Sequence, residues 1–300
     1  MPRKPADKRI EEATELLRQR RSDWLRRPGV TAVDVGFKIS EREITSTLAV
    51  RVHVERKKPL AELEDYEIFN VSQADATAKN KPKKVGDFPV DVLEATYVPA
   101  QRVIVDPENV AAVNEAIDRT GVVTPLIGGI SCGNARVTAG TLAAIVFNRT
   151  DGSPQILSNW HVLAGSSDAA AGEEIWQPGR VDGGNSSHLV ARLAKWRLNK
   201  DMDAAVAKLT GDRDYVRDII GLHPVSGMEG AQLGMNVVKS GRTTGNTEGI
   251  VDGVSLSTSI NYGGSTGTVA FRDMMHIVPR PPWPSVDYEV SAGGDSGSVW

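Results

Sequence analysis

Ser296 lies in a glycine-rich turn, Gly294-Asp-Ser-Gly-Ser298, near the end of the 300-residue chain. The flanking glycines allow backbone N–H groups to approach a reacting carbonyl without a side chain in the way. An oxyanion hole requires that geometry. A polar surface loop has the same composition, so the turn alone does not distinguish a nucleophile from an ordinary loop. The chemical interpretation requires a histidine and an aspartate in suitable positions elsewhere.

His161 lies where an apolar strand is predicted to end, within the stretch Gln155–Gly165. Small and apolar residues surround it, and such a setting can keep an imidazole close to neutrality while it accepts a proton. An isolated histidine in this position would more often be a core or capping residue. The interpretation as a general base therefore depends on its partners.

Asp203 heads a second predicted strand, which continues as Ala-Ala-Val-Ala-Lys-Leu209. An aspartate in that place can be buried and can orient a histidine ring through its Nδ1–H group. Asp201 competes for this role, but it lies outside the apolar run and is predicted to cap its own turn. Asp203 is therefore the predicted partner of His161.

These three stretches together resemble the chymotrypsin-like (trypsin-fold) serine proteases. The stretch that ends in His161 looks like the histidine motif of that family, the one that begins at Asp203 like its aspartate motif, and the turn around Ser296 like its nucleophile motif. The order His, Asp, Ser along the chain is the order expected of this fold. A fourth stretch, Lys239–Val251, is similar to a hairpin common in bacterial trypsin-like peptidases.

The resemblance implies a role for each of these residues. Ser296 would be the nucleophile, His161 the general base and then the acid, and Asp203 the group that orients and stabilises the imidazolium. The backbone N–H groups of Gly294 and Ser296 would form the oxyanion hole. The counterpart of Asp295 often pairs with a new N-terminus after zymogen cleavage. Because a leader domain precedes the protease domain here, that pairing is not expected without processing.

The resemblance also implies a mainly β fold, a chymotrypsin-like double β-barrel over residues 130–300. Short strands between glycine-rich turns are predicted there, which is the pattern of an all-β barrel or sandwich. The chain stops at Trp300, four residues after Ser296, where the family continues with further strands. We therefore expect the second barrel to be truncated. Either the sequence is a fragment of a longer open reading frame, which is the favoured interpretation, or the barrel is incomplete and activity is poor.

A small α+β unit is predicted ahead of the barrel and looks like the leader domain of a disulfide-free bacterial trypsin-like group. Alternating apolar residues predict strands over 30–37, 48–54 and 88–97, with a short helix over 60–69. His53 alternates away from the neighbouring valines and is predicted to face solvent. The predicted organisation is a charged helix (1–27), an α+β leader domain (28–98), a connector with a helix at 107–119 (99–129) and the protease domain (130–300).

Composition argues against several other functions. The formal net charge of −3 provides no overall attraction to nucleic acid or to an anionic membrane. Cys132 is the one cysteine, so no intrachain disulfide can form, which favours a reducing compartment. We see no secretory signal and no apolar stretch near the ~20 residues of a membrane span, so a cytoplasmic location is predicted. His188, His223 and His276 lack metal-ligand spacing, so no metal or other cofactor is predicted.

The function favoured by the sequence is a serine endopeptidase that acts on protein or peptide substrates through an acyl-enzyme on Ser296. Val290, six residues before Ser296, is not an acid, so a small or apolar primary residue is expected rather than Arg or Lys. The alternative is a non-catalytic pseudoprotease or binding module that keeps the scaffold. Nucleic-acid binding through the N-terminal helix rests only on local charge, since acids are interleaved with the bases.

Overall fold

Two large β-sheets and one helix account for most of the regular secondary structure of the computed structural model, which describes residues 5–40, 43–64, 67–69, 84–99, 117–281 and 290–300. The helices are α1 (Asp7–Trp24) and the single turn α2 (Trp160–Leu163), and 3₁₀ turns lie at Leu60–Glu62, Arg180–Asp182 and Ser186–His188. The strands of these ranges are β1 (Val30–Ser40), β2 (Glu43–Val54), β3 (Lys84–Val85), β4 (Phe88–Glu94), β5 (Leu126–Gly128), β6 (Ser131–Asn134), β7 (Gly140–Thr141), β8 (Ala144–Phe147), β9 (Pro154–Ser158), β10 (Glu174–Trp176), β11 (Leu189–Asn199), β12 (Met202–Leu209), β13 (Tyr215–Ile219), β14 (Asn236–Gly241), β15 (Gly245–Asn261) and β16 (Thr268–Pro279).

The first sheet joins N-terminal strands to strands from the last third of the chain. Its order is β14-β15-β1-β2-β4-β3, and β16 also pairs with β15. Because β15 is 17 residues long, it pairs with β14 and then β1 along one edge and with β16 along the other. The predicted leader strands and the predicted protease strands therefore share one sheet. The division of the chain into domains stays a prediction.

Helix α1 covers one face of this sheet. Ala13, Leu17 and Trp24 are its buried residues, and they pack with Val35 and Val50 in one apolar cluster. The helix ends just before Pro28-Gly29, and Gly29 has a φ of 76°, a conformation that glycine adopts without steric cost. The predicted N-terminal helix is thus present, and it packs through a narrow apolar stripe.

The second sheet has the order β7-β6-β10-β11-β12-β9-β8 and encloses a separate apolar core. Ile156 on β9, Ile175 on β10 and Leu193 on β11 are buried there, together with Cys132. A small third sheet pairs β13 with β5. The chain is therefore mainly β, which confirms the predicted fold class at that level.

Several predicted elements need correction. In place of the helix expected over 60–69, the described residues show only 3₁₀ geometry, at Leu60–Glu62 and at Glu67, and most of the helix predicted at 107–119 lies outside the described residues. Between residues 135 and 148 the chain forms two short strands, β7 and β8, and after residue 266 it forms one long strand, β16. Strands β10 and β13 were not expected, because each is short and depends on distant pairing partners.

The prediction that His53 faces solvent is wrong, because His53 is fully buried. Alternation correctly places it opposite Val52, but that second face of the sheet is also covered. The Tyr97 hydroxyl lies 2.7 Å from His53 Nδ1, and the His276 ring lies 5.3 Å from the His53 ring. Alternation predicts which face a side chain takes and cannot predict whether another segment covers that face.

A buried ion-pair cluster joins β1, β2 and β15 on this covered face. Arg51 donates to Asp34 and to Asp252, with Nε–Oδ1 and Nη1–Oδ2 distances of 2.7 Å each. All three side chains are fully buried. Burial raises the pKa of Asp34, but the charge and hydrogen bonds of Arg51 outweigh it and hold that pKa well below its usual range. Gly253 makes room for the guanidinium, since a Cβ there would lie 2.1 Å from Arg51 Nη2.

Candidate active site

Strand register brings His161 and Asp203 together. Strands β9 and β12 are antiparallel, and Ser158 at the end of β9 pairs with Ala205 near the start of β12. The chain then turns into α2, whose second residue is His161, while Asp203 is the second residue of β12. Two residues predicted as partners from separate motifs thus meet at one end of the second sheet.

The carboxylate of Asp203 contacts His161 twice. His161 Nδ1 lies 2.6 Å from Asp203 Oδ2, and the His161 backbone N–H donates to Oδ1 at 3.3 Å. Asn159 fixes the same segment by donating from Nδ2 to the Asp203 carbonyl at 2.7 Å. Burial raises the pKa of Asp203, but the hydrogen bonds and charge at His161 more than offset it, so the pKa lies below its usual value. An ionised carboxylate only accepts hydrogen bonds, so His161 donates from Nδ1.

Tyr262 adds a third hydrogen bond to this carboxylate. It lies just after β15, at the tip of the β15–β16 hairpin, and its hydroxyl donates to Asp203 Oδ2 at 2.8 Å. Burial and the neighbouring carboxylate raise the pKa of Tyr262, so the phenol stays protonated and remains a donor. The rings of Tyr262 and His161 lie 5.8 Å apart. The hairpin therefore reaches from the first sheet to the His161–Asp203 pair.

The turn that carries Ser296 docks onto β7. Thr141 donates from its backbone N to the Ser296 carbonyl at 2.7 Å and from Oγ1 to the Gly294 carbonyl at 2.9 Å. Gly294 and Gly297 both have a φ of 101°, a region that favours glycine. A Cβ on Gly297 would lie 2.2 Å from the Ser158 hydroxyl, so this glycine also permits close packing on the end of β9. The glycines inferred from sequence to shape the turn are required by its conformation.

A buried lysine holds Asp295, the residue before Ser296. Lys239 on β14 is buried, and its Nζ lies 3.2 Å from Asp295 Oδ2. The backbone N–H groups of Thr243, Thr244 and Ala292 also donate to the Asp295 carboxylate, at 2.8, 3.1 and 2.9 Å. Burial lowers the pKa of Lys239, and Asp295 opposes that shift. Asp295 thus has a cationic partner within the chain.

The remaining ring nitrogen of His161, Nε2, is buried and has no hydrogen-bond partner among the described residues. With Nδ1 protonated, Nε2 of the neutral ring carries a lone pair and can accept a proton. Ser296 is brought to the same region, because its carbonyl and the Val162 side chain both pack against Gly140. The hydrogen bond that would join Ser296 Oγ to His161 Nε2 is not formed in this structure.

The other residues considered from sequence lie apart from this group. Asp201 is exposed and pairs with Lys200, with Nζ–Oδ1 at 2.6 Å, so it does not compete with Asp203. Val290 is buried, and its carbonyl accepts from Thr247 Oγ1 at 2.7 Å. Across the described ranges, no three His, Cys, Asp or Glu side chains are grouped so that they could hold a metal ion.

Two residues of the site were missed by the sequence analysis. Lys239 lies within the recognised hairpin stretch, but nothing in a lysine on a strand predicts that it is buried against an aspartate far along the chain. Tyr262 directly precedes the glycine-rich turn at 263–267 between β15 and β16. A lone tyrosine beside a glycine-rich turn carries no signal of a hydrogen bond to Asp203.

Comparison with known proteins adds little to this geometry. No protein-family model matches the chain, and no curated protein matches it. A chymotrypsin from Cellulomonas bogoriensis, known from its crystal structure, aligns at 18% identity over 57% of this chain and 74% of its own, with a TM-score of 0.38. A likeness of that TM-score carries no argument about function. In the described part of the chain, the helices are all too short or too polar to cross a membrane.

Proposed function

We propose that this chain is a serine endopeptidase of the chymotrypsin-like type, with Ser296 as nucleophile, His161 as general base and Asp203 as the residue that orients His161. The observation that carries the proposal is the 2.6 Å contact between His161 Nδ1 and Asp203 Oδ2, with the opposite ring nitrogen buried and unpartnered. That arrangement fixes the tautomer in which Nε2 accepts a proton. The glycine-flanked turn supplies the nucleophile on the neighbouring segment.

In the proposed reaction, Ser296 Oγ attacks the carbonyl carbon of the scissile peptide and transfers its proton to His161 Nε2. The oxyanion of the tetrahedral intermediate accepts hydrogen bonds from the backbone N–H groups of Gly294 and Ser296. His161 then protonates the leaving amine, which leaves an ester on Ser296. Water adds to that ester with His161 again as base, and the acid product and free Ser296 result. Asp203 stabilises the His161 imidazolium in both halves of the reaction, the formation of the ester and its hydrolysis.

The proposal includes a movement that brings Ser296 Oγ and His161 Nε2 to within hydrogen-bonding distance of each other. Catalytic hydrogen bonds are often long or misaligned in unliganded enzymes and tighten when substrate binds. The buried position of His161 Nε2 supports such closure, because an unsatisfied buried nitrogen gains by acquiring a partner. The peptide-bond specificity expected from Val290, a small or apolar primary residue, stays a prediction.

A non-catalytic pseudoprotease or binding module is the second candidate. The observation that favours it is the absent hydrogen bond at His161 Nε2, because a scaffold that only binds peptides has no need of that bond. The two candidates differ in one measurable property, the reactivity of the Ser296 hydroxyl.

Covalent labelling with a fluorophosphonate tests the proposal. Attack by Ser296 Oγ would form an O–P bond, release fluoride and pass the hydroxyl proton to His161. We expect labelling of the native chain, located on Ser296 by peptide mass, and none in Ser296→Ala. His161→Ala should lower the labelling rate by a factor on the order of 10⁴ or more. Ser186→Ala, which removes an exposed serine, should label like the native chain.

The same experiment separates the two candidates. Folded protein, with an unchanged circular dichroism spectrum and melting temperature, that does not label would contradict the peptidase proposal and favour the pseudoprotease. Labelling equally strong in Ser296→Ala would assign the reactivity to another residue.

A further inference from the structure

A cleft of about 310 Å³ opens beside His161. One wall is the segment 136–139 that follows β6, a second is α2 with the residues just after it, and the third is the tip of the β15–β16 hairpin, 262–266. Arg180, at the start of a 3₁₀ turn, borders the same space. A substrate segment bound in this cleft would therefore lie against the proposed general base.

The hairpin tip is held over the cleft at two points. Tyr262 donates to Asp203 Oδ2 at 2.8 Å, and the hydroxyls of Ser265 and Ser167 lie 2.8 Å apart. Gly263 and Gly264 have positive φ, which allows the tight turn between these two anchors. The wall of the cleft that is formed by the hairpin is thus positioned before any ligand binds.

The charges of the cleft have one sign. Its described lining contains Arg136 and Arg180 and no aspartate or glutamate. Arg136 is not available as a free cation, because it forms an ion pair with Glu173. The excess positive charge of the cleft therefore comes from Arg180.

Nearby carboxylates are already engaged, which leaves Arg180 for a ligand. Asp182, two residues further along, accepts from Arg242 Nε at 2.9 Å and from Ser131 Oγ at 2.6 Å. No carboxylate of the described residues lies within ion-pair distance of Arg180. The turn itself is fixed, since Val181 donates from its backbone N to the Thr138 carbonyl at 3.0 Å. The Arg180 side chain is exposed at this turn, and its planar guanidinium suits recognition of a carboxylate by two parallel hydrogen bonds.

We propose that this cleft selects peptide segments with an aspartate or glutamate side chain close to the scissile bond, and that Arg180 is the residue that binds this carboxylate. The inference rests on the proposed function, because it names the substrates of that same site. The acidic substrate residue occupies a position beside the scissile bond. The inference is therefore independent of the small or apolar primary residue of the substrate that is expected from Val290.

Cleavage of a complex peptide mixture tests the selection. A tryptic digest of a bacterial proteome, with the native chain added and new termini counted by mass spectrometry, reports the residues around each cut. We expect Asp and Glu to be enriched about fivefold at one or two positions beside the cut. A factor of that size corresponds to the free energy of a partly exposed ion pair. Arg180→Gln should abolish that enrichment, while Arg197→Gln, an exposed arginine on β11, should retain it.

The dependence of the acidic enrichment on ionic strength distinguishes charge recognition from a steric preference, because a steric preference does not respond to salt. Raising the salt concentration from about 0.05 to about 0.5 M shortens the Debye length several-fold, so the acidic enrichment of the native chain should shrink while total cleavage of neutral sites is maintained. Cleavage without acidic enrichment, or an enrichment that Arg180→Gln leaves intact, would overturn the inference and leave the peptidase proposal standing.

A binding measurement separates failure of the inference from failure of the function. Fluorescence anisotropy of two labelled alanine-rich hexapeptides, one with a central glutamate and one with a central glutamine, is measured on the Ser296→Ala chain. We expect about fivefold tighter binding of the glutamate peptide, and equal binding after Arg180→Gln is added. If the native chain cleaves nothing in the peptide mixture but this difference in binding is found, the cleft is an acidic-peptide site and the peptidase proposal fails. Equal binding of both peptides would overturn the inference.

Discussion

Ion pairing at Lys239 is the residue-scale feature on which the Ser296 turn depends. Lys239 is the one cation within 4 Å of the Asp295 carboxylate among the described residues, and both side chains are out of contact with water. Removing one partner of a buried pair leaves the other charge uncompensated, which costs roughly 3–5 kcal/mol. The carboxylate that this pair holds also accepts the hydrogen bonds that shape the turn, so the effect should reach Ser296.

Replacing Lys239 by methionine tests this dependence. We expect Lys239→Met to lower the free energy of unfolding by about 3 kcal/mol and to suppress fluorophosphonate labelling, because the buried Asp295 would turn toward water and move the adjacent serine. Chemical denaturation and labelling rate are the two measurements. Lys195→Met, at an exposed position on β11, should change stability by no more than about 0.5 kcal/mol. Full labelling in a stable Lys239→Met protein would contradict the dependence.

At the scale of secondary-structure elements, the β15–β16 hairpin connects the N-terminal strands, the buried ion-pair cluster and the candidate active site. Its base pairs with β14, its middle pairs with β1 and contributes Asp252 and His276 to the buried cluster, and its tip contacts Asp203 through Tyr262. The same two strands therefore belong to the sheet that α1 covers and also reach the candidate active site. The guanidinium of Arg51 is the link, since it bonds to β1 and β15 at once.

Removing that guanidinium should be strongly destabilising. Arg51→Met leaves two buried carboxylates without their cation, so we expect the free energy of unfolding to fall by roughly 3–5 kcal/mol. Arg56→Met, five residues along at an exposed position, should have an effect within about 0.5 kcal/mol. Urea denaturation followed by tryptophan fluorescence measures both. Similar small losses in the two variants would show that the cluster does not hold the hairpin.

For the molecule as a whole, three largely buried aspartates and one buried histidine make the stability fall as the pH is lowered. The pKa values of Asp34, Asp252 and Asp203 are lowered in the folded state, because the hydrogen bonds and charges of neighbouring groups outweigh the effect of burial, which raises them. Burial also lowers the pKa of His53. Each of these groups binds protons more readily in the unfolded chain, so acid favours unfolding.

The expected dependence of folding stability on pH has two regions. As pH falls below about 6.5, His53 begins to take up protons in the unfolded chain but not in the folded one, so stability should begin to decline. Below about 4 the three aspartates add to this effect, and the decline should become steeper. Urea midpoints measured from pH 8 to pH 3 report it. In His53→Gln the first decline should be weaker and the second unchanged; a profile flat to pH 4 in the native chain would contradict the contribution of His53.

The sequence by itself determined the local chemistry. Glycines around Ser296, a histidine at a strand end and an aspartate at a strand head are signals contained within a few residues, so the motifs identified all three candidate residues, and the structure then placed His161 and Asp203 in contact. Strand periodicity likewise predicted the mainly β class, because alternation depends only on neighbouring residues.

Only the tertiary structure decided which distant groups meet. The pairing of β1 with β15, the burial of His53, the partnership of Lys239 with Asp295 and the hydrogen bond from Tyr262 all join segments far apart in the chain. Nothing in the periodicity of a strand specifies its lateral neighbour or what covers its second face. The physical reason is that burial and ion pairing are properties of a shared environment, and that environment exists only once the chain has folded.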